Sequence, residues 1–142
     1  HDKIYAATPY ELFYYNTSDN SINKLTKVNG LSDFGISVMR YNHNTDMILI
    51  GYSNSNIDII DNNGNITNIS DIKHKNILVD KSINDVYFIE DKAYLSCGFG
   101  IVLIDLKRME IKETYIITPA EIPRLKPRKF LFFPFEKIGI IK

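Results

Sequence analysis

The sequence is poor in the features that usually announce a function. It has no Trp and one cysteine, Cys97, in 142 residues. A single thiol cannot form an internal disulfide, which excludes a disulfide framework. An excess of charge of one sign is missing too: 17 Lys+Arg meet 17 Asp+Glu, for a formal net charge of zero. A dedicated nucleic-acid binder needs a basic footprint for phosphates, so no nucleic-acid partner is expected. No apolar run approaches the ~18–20 residues of a membrane-crossing helix. The three histidines, His1, His43 and His74, are too scattered for a metal cluster. No metal and no cofactor are expected.

What the chain does have is Ile, Asn and Tyr: 23, 14 and 9 of them. Ile and Tyr suit a pleated, half-buried surface, and Asn suits turns. Short alternating apolar runs separated by turn residues fill the chain up to Thr118. They read as strands at 4–8, 12–15, 22–25, 36–41, 47–52, 57–60, 66–69, 83–89, 92–97, 101–106 and 111–117. The chain opens on His1 rather than Met, as a mature or trimmed product would.

The runs repeat. Thr8-Pro9-Tyr10-Glu11-Leu12-Phe13, Tyr52-Ser53-Asn54-Ser55-Asn56-Ile57 and Cys97-Gly98-Phe99-Gly100-Ile101-Val102 are each a strand end, a three-residue turn and a new strand. A period of ~40–50 residues with four strands per unit is the signature of a β-propeller blade. With strands labelled a to d from the axis outward, residues 36–70 form one blade and 83–117 another. Residues 4–25 supply b, c and d of an earlier blade without its strand a. The expected fold is all-β: a partial propeller of four-stranded antiparallel blades over 1–118, about three blades' worth. Residues 119–142 form a Pro-containing tail with six Lys/Arg against two Asp/Glu, net +4, so 1–118 carry net −4. That tail is either a partial fourth blade, with strands at Phe130–Phe133 and Lys137–Ile141, or a segment that has left the repeat.

Propellers close with about four to eight blades, and an open arc leaves blade faces bare. Nothing polar caps the first unit: Tyr5, Leu12, Phe13, Tyr14 and Tyr15 suit burial. The chain is therefore expected to be a fragment of a longer one, or to assemble so that copies complete each other, with strand a supplied by a partner's Phe130–Phe133.

Chemistry is harder to find. Asp61-Asn62-Asn63-Gly64-Asn65 starts like a calcium loop, but its twelfth position is Ile72 rather than a bidentate Glu. Gly98-Phe99-Gly100 joins two strands and is too short for a phosphate loop. Cys97 falls at a strand end, as a small buried residue would. No catalytic set emerges. Binding is easier to place: in a propeller the b–c turns and d–a loops share one face. The b–c turns hold Tyr10, Asn54 and Phe99; the d–a loops hold Asn29, Asp33, His74 and Lys81. Tyr10, Asn54, Phe99, Asp33 and His74 are the candidate contacts. Aromatic and amide groups around an entrance suit protein, peptide or glycan, and ordinary exposed loops show the same residue types.

Ile4-Tyr5-Ala6-Ala7-Thr8, with Tyr10 and Leu12-Phe13, then Asn29-Gly30-Leu31-Ser32-Asp33 before a strand, then Leu49-Ile50-Gly51-Tyr52, resembles the propellers of Bacteroidetes. Two branches share the pattern: the N-terminal domain of the surface propeller of type IX secretion, and the two-component regulator propeller repeats. The resemblance covers residues 4–118. It departs at Glu11 and Ser55, where the family has the turn glycine that Gly100 retains, and in the tail. The resemblance implies a periplasmic or cell-surface protein with a non-enzymatic binding or assembly role. In the secretion branch the partner would be surface machinery or an anionic glycolipid. In the alternative, periplasmic sensing within a hybrid two-component regulator, it would be an oligosaccharide or peptide. A carbohydrate-active propeller enzyme is the reading from another class.

Overall fold

The structure is a computed structural model and describes residues 2–117. The tail strands expected at Phe130–Phe133 and Lys137–Ile141 lie outside the described residues.

Among the described residues, eleven strands and one helical turn follow in chain order. β1 (Lys3–Ala7), β2 (Leu12–Asn16) and β3 (Ser21–Leu25) form a three-stranded sheet. β4 (Ile36–Asn42), β5 (Met47–Tyr52), β6 (Ile57–Ile60) and β7 (Ile66–Ile69) form a four-stranded one, followed by α1 (Asp71–His74). β8 (Ile83–Ile89), β9 (Lys92–Cys97), β10 (Gly100–Asp105) and β11 (Glu110–Ile116) form the third. Every pairing is antiparallel between chain neighbours. The architecture is a partial β-propeller whose first blade has three strands among the described residues. His74, expected in a d–a loop, ends the short helix within that connection.

The middle blade explains its own composition. It is sandwiched, so its central strands are buried on both faces and read as nearly unbroken apolar runs. Ile48, Ile50 and Tyr52 of β5 share a core cluster with Leu12 and Leu31 on the side of the first blade. Leu49, Ile57 and Ile59 join Val86, Leu95, Val102 and Ile104 on the side of the third. Each fully buried Ile or Leu contributes about 1.5–3 kcal/mol of transfer free energy. Gly51 lets the two blades close up: a Cβ there would lie 2.7 Å from Val38 Cγ1 and 3.3 Å from Ile83 Cγ2.

The first blade is one-sided. Cross-strand register puts Tyr5, Tyr14 and Asn23 on one face, with Ala7, Leu12 and Leu25. Leu12 is fully buried there. Ile4, Tyr15 and Ile22 form a row on the opposite face and are 62%, 37% and 74% exposed. The apolar residues of the first blade therefore divide by face: on the outer face Phe13 is half-buried, and Ile4, Tyr15 and Ile22 are exposed. On the outer face of the third blade Leu103 and Ser96 are buried, whereas Ile89 and Tyr115 are exposed.

The three b–c turns differ in length. Ala7 pairs Leu12 with Thr8 N donating to Glu11 O, and Cys97 pairs Gly100. In the middle blade Gly51 pairs Ile57, with Tyr52 N donating to Asn56 O and Ser55 N to Tyr52 O. The extra residue is absorbed by Ser55 at φ +71, a left-handed position that usually selects glycine. Glu11 is not among the positive-φ residues. Its turn is held instead by Thr8 Oγ1, which accepts from Glu11 N at 3.1 Å and Tyr10 N at 3.3 Å. Gly100 is compelled: at φ +144, its Cβ would sit 1.9 Å from Tyr115 O.

Candidate functional site

The face carrying the b–c turns and d–a loops is organised by Asp33. Leu31, buried in the core, anchors the β3–β4 loop and turns Asp33 inward, to 6% exposure. Its Oδ2 accepts from Asn54 Nδ2 at 2.6 Å, Lys73 Nζ at 2.7 Å and Asn56 Nδ2 at 3.3 Å. Its Oδ1 accepts from Phe34 N at 3.1 Å and faces Lys27 Nζ at 3.6 Å. Burial alone would raise the pKa of this carboxyl. Hydrogen bonds from Lys73, Asn54, Phe34 N and Asn56 outweigh burial and hold it well below the usual carboxylate range.

The network continues inward. Asn56 Oδ1 accepts from Asn68 Nδ2, which also donates to Asp58 Oδ1, each at 3.0 Å. Asp58 Oδ2 accepts from the Tyr52 hydroxyl at 2.6 Å and from Ser32 N at 2.8 Å. Burial and then the Asp58 bond push the Tyr52 hydroxyl far above its ordinary value. Ser55 Oγ donates to Lys81 O at 2.6 Å, and Lys81 Nζ donates to Lys73 O at 2.7 Å and Lys75 O at 3.1 Å. Loops from three connections are thus clamped together.

The candidate contacts fare unequally. Asp33 and Asn54 meet, but they spend their polar atoms on each other. Asp33 is a buried clamp rather than a rim contact, because the loop folds its carboxylate under three donors. Phe99 is 1% exposed and belongs to the core cluster, so it is not at an entrance. The blade faces close over it. Asn29 serves its own turn, accepting from Thr26 N and donating to Lys24 O. Tyr10, at 70% exposure, and His74 remain on the surface. Cys97 is fully buried, and burial pushes its thiol up to about 12.

A second feature lies on the opposite face. A cleft of about 870 Å³ opens between β1 and β4, lined by Lys3, Tyr5, Arg40, Tyr41, His43 and Ile48 among others. The Tyr41 hydroxyl donates to Asp46 Oδ1 at 2.5 Å, and its ring meets His43 edge-on at 4.8 Å. The Asp46 bond, with burial second, pushes Tyr41 up to about 12. Arg40 reaches across to Asp85 at 2.9 Å, joining the inner strands of adjacent blades. None of these residues stands out in the sequence. The signal that could have found them was the three-stranded first unit, because the cleft lies beside β1, an edge strand among the described residues. Among the described residues no group of three or more His, Cys, Asp or Glu is placed to hold a metal ion, and no helix is long and apolar enough to cross a membrane.

A search of curated proteins returns no match. A solved structure of PorZ from Porphyromonas gingivalis is similar at 30% identity and a TM-score of 0.74, over 80% of this chain. That protein is described as an essential bacterial surface component of the type IX secretion system, and the match spans 15% of its length. The family described as the PorZ N-terminal β-propeller domain of type IX secretion matches residues 4–127. With the open three-blade arc, this places the chain: it belongs to the family of PorZ N-terminal β-propeller domains.

Proposed function

We propose that the chain is part of an extracytoplasmic, non-enzymatic propeller that serves as a binding and assembly module of type IX secretion. Its partner is a surface protein or an anionic glycolipid. The observation that carries this reading is the family match over residues 4–127, with the likeness to PorZ beside it. The clamped loop face supports it. Asp33 spends its charge on holding loops, which suits a rigid platform for docking. Exposed Tyr10 and His74 supply that platform with an aromatic ring and an imidazole.

The test is an in-frame removal of residues 4–117 from the encoding gene, followed by restoration. Delivery of type IX cargo to the cell surface should fall and recover. In a Tyr10→Ala strain with unchanged protein level, delivery should fall if that face docks the partner. Unchanged delivery after the in-frame removal would overturn the proposal. If a transcriptional response to an oligosaccharide or peptide were lost instead, periplasmic sensing would be the role.

A further inference from the structure

Two Asn-Gly pairs stand in the chain, Asn29-Gly30 and Asn63-Gly64. Asparagine is a thermolabile residue, and a following glycine removes the side chain that would shield the next backbone nitrogen. The two pairs are chemically alike, but the fold treats them oppositely. Asn29 is locked. Its Oδ1 accepts from Thr26 N at 2.5 Å and from Thr26 Oγ1 at 3.1 Å, and its Nδ2 donates to Lys24 O at 2.9 Å. Gly30 is packed as well: a Cβ there would lie 3.3 Å from Ile66 Cδ1 and 3.4 Å from Leu25 Cδ2.

Asn63 stands in the turn between β6 and β7, where residues 62–65 are all exposed. Its backbone N donates to Asp61 Oδ1 at 2.9 Å, but among the described residues no hydrogen bond holds its side-chain amide. Gly64 sits at φ +85 with nothing within 4 Å of where its Cβ would be, so that side of the turn is open. The Gly64 N–H donates to Asp61 O at 3.0 Å. A surface turn bond of this kind opens locally without unfolding the sheet.

We propose that Asn63 is a self-modification site: its side-chain amide is hydrolysed through a cyclic imide formed with Gly64, and Asn29 is spared. When the turn bond opens, Gly64 N gives its proton to solvent base and its electron pair to Asn63 Cγ. The N–Cγ bond forms, the Cγ–Nδ2 bond breaks, and the amide leaves as ammonia, taking a proton from water. Water then opens the imide. Cleavage at N–Cγ leaves aspartate; cleavage between that nitrogen and the backbone carbonyl carbon leaves isoaspartate. Water is the only co-reactant, and nothing is oxidised or reduced. Either product sets a new carboxylate beside Asp61, which lines the cleft next to β1. The isoaspartyl form also lengthens the main chain, so the bonds of Asn63 N, Asn65 N and Gly64 N to Asp61 cannot all survive. The same conversion at Asn29 would put an acceptor against Lys24 O, in the loop that carries Asp33.

The test ages the full 142-residue chain in mildly alkaline buffer, folded and in urea, and digests it with trypsin. Cleavage after Lys27, Arg40 and Lys73 puts the two pairs on separate peptides, 28–40 and 41–73. Fragment masses place each amide-to-acid conversion, and an isoaspartyl methyltransferase labels the isoaspartate. In the folded chain Asn63 should convert at least about tenfold faster than Asn29; in urea the two rates should agree within about threefold, because the protection is local structure. Asn63→Gln, whose longer side chain needs a larger ring, should remove the fast conversion with an unchanged circular dichroism spectrum. Equal rates in the folded chain would overturn the proposal. So would an intact Asn63 in the folded chain after the time that converts it in urea.

Discussion

Asp33→Asn tests whether the loop face is clamped by charge. The substitution keeps the side-chain volume, and its amide oxygen can still accept from Phe34 N. It removes the shared acceptor of Lys73, Asn54 and Asn56, and presents donors to donors. Lys73 has a side chain 35% exposed and Asn54 is exposed, so both can rehydrate. Asn56 is 3% exposed and cannot. Leaving its amide unpaired costs about 1–3 kcal/mol, and the lost ionic bond to a part-solvated Lys73 adds about 1. The expected loss is about 2–4 kcal/mol, a large fraction of a typical ~5–15 kcal/mol domain stability. Urea unfolding of the full chain, followed by far-ultraviolet circular dichroism, measures it.

The pH dependence gives the second arm. The Asp33 pKa is depressed in the folded protein, so its contribution is complete above the unfolded value of about 3.9 and lost as pH falls towards the folded one. The gap between wild type and variant should therefore be constant from pH 7 to about 5. It should narrow by up to about 1.4 kcal/mol per unit below about 4. A variant within about 0.5 kcal/mol of wild type, the range of an ordinary surface change, would refute the clamp. So would a gap that ignores pH.

Two further outcomes follow from the same packing. Gly100→Ala drives a Cβ to 1.9 Å from Tyr115 O and should cost about 3 kcal/mol or more, whereas Gly64→Ala, at φ +85 with nothing within 4 Å, should cost about 1–2; thermal unfolding of the pair separates a steric clash from backbone strain alone. The Cys97 thiol should not react with a disulfide reagent at pH 8 until urea unfolds the chain, because burial pushes it up to about 12 and only the thiolate attacks; labelling at native rates comparable to a free thiol would contradict its burial.

The strands were legible because each carries its signal locally. Alternation in β4 and nearly unbroken apolar runs in β5 and β6, interrupted by Asp58, show where sheets lie and which blade is sandwiched. The 44–45-residue spacing of the b–c turns, read on Thr8, Tyr52 and Cys97, then fixes the blades. Phe99 misled because a turn position between β9 and β10 looks exposed in any two-dimensional hairpin. Its place in the core cluster shared by the middle and third blades buries it. The cleft residues Arg40, Tyr41 and His43 stayed hidden for the converse reason. Their common property is that they line one cleft beside β1, which no local sequence pattern marks.

Asparagine shows why the site was harder to read than the fold. Asn63 and Asn65 close a turn around Asp61 at the surface, while Asn56 and Asn68 carry hydrogen bonds from Asp33 down to Asp58. The residue type is the same, and the local sequence in both places is a polar break between apolar strands. The difference lies in what the neighbouring loops do. The β3–β4 loop is pinned by Leu31, and its pinned end delivers Asp33 onto the Asn54 turn of the next sheet. A turn signal therefore says where the chain reverses, and burial decides whether the reversing residues meet solvent or one another. Burial in a propeller is a property of adjacent blades, so a loop's chemistry is settled one repeat away from its own sequence.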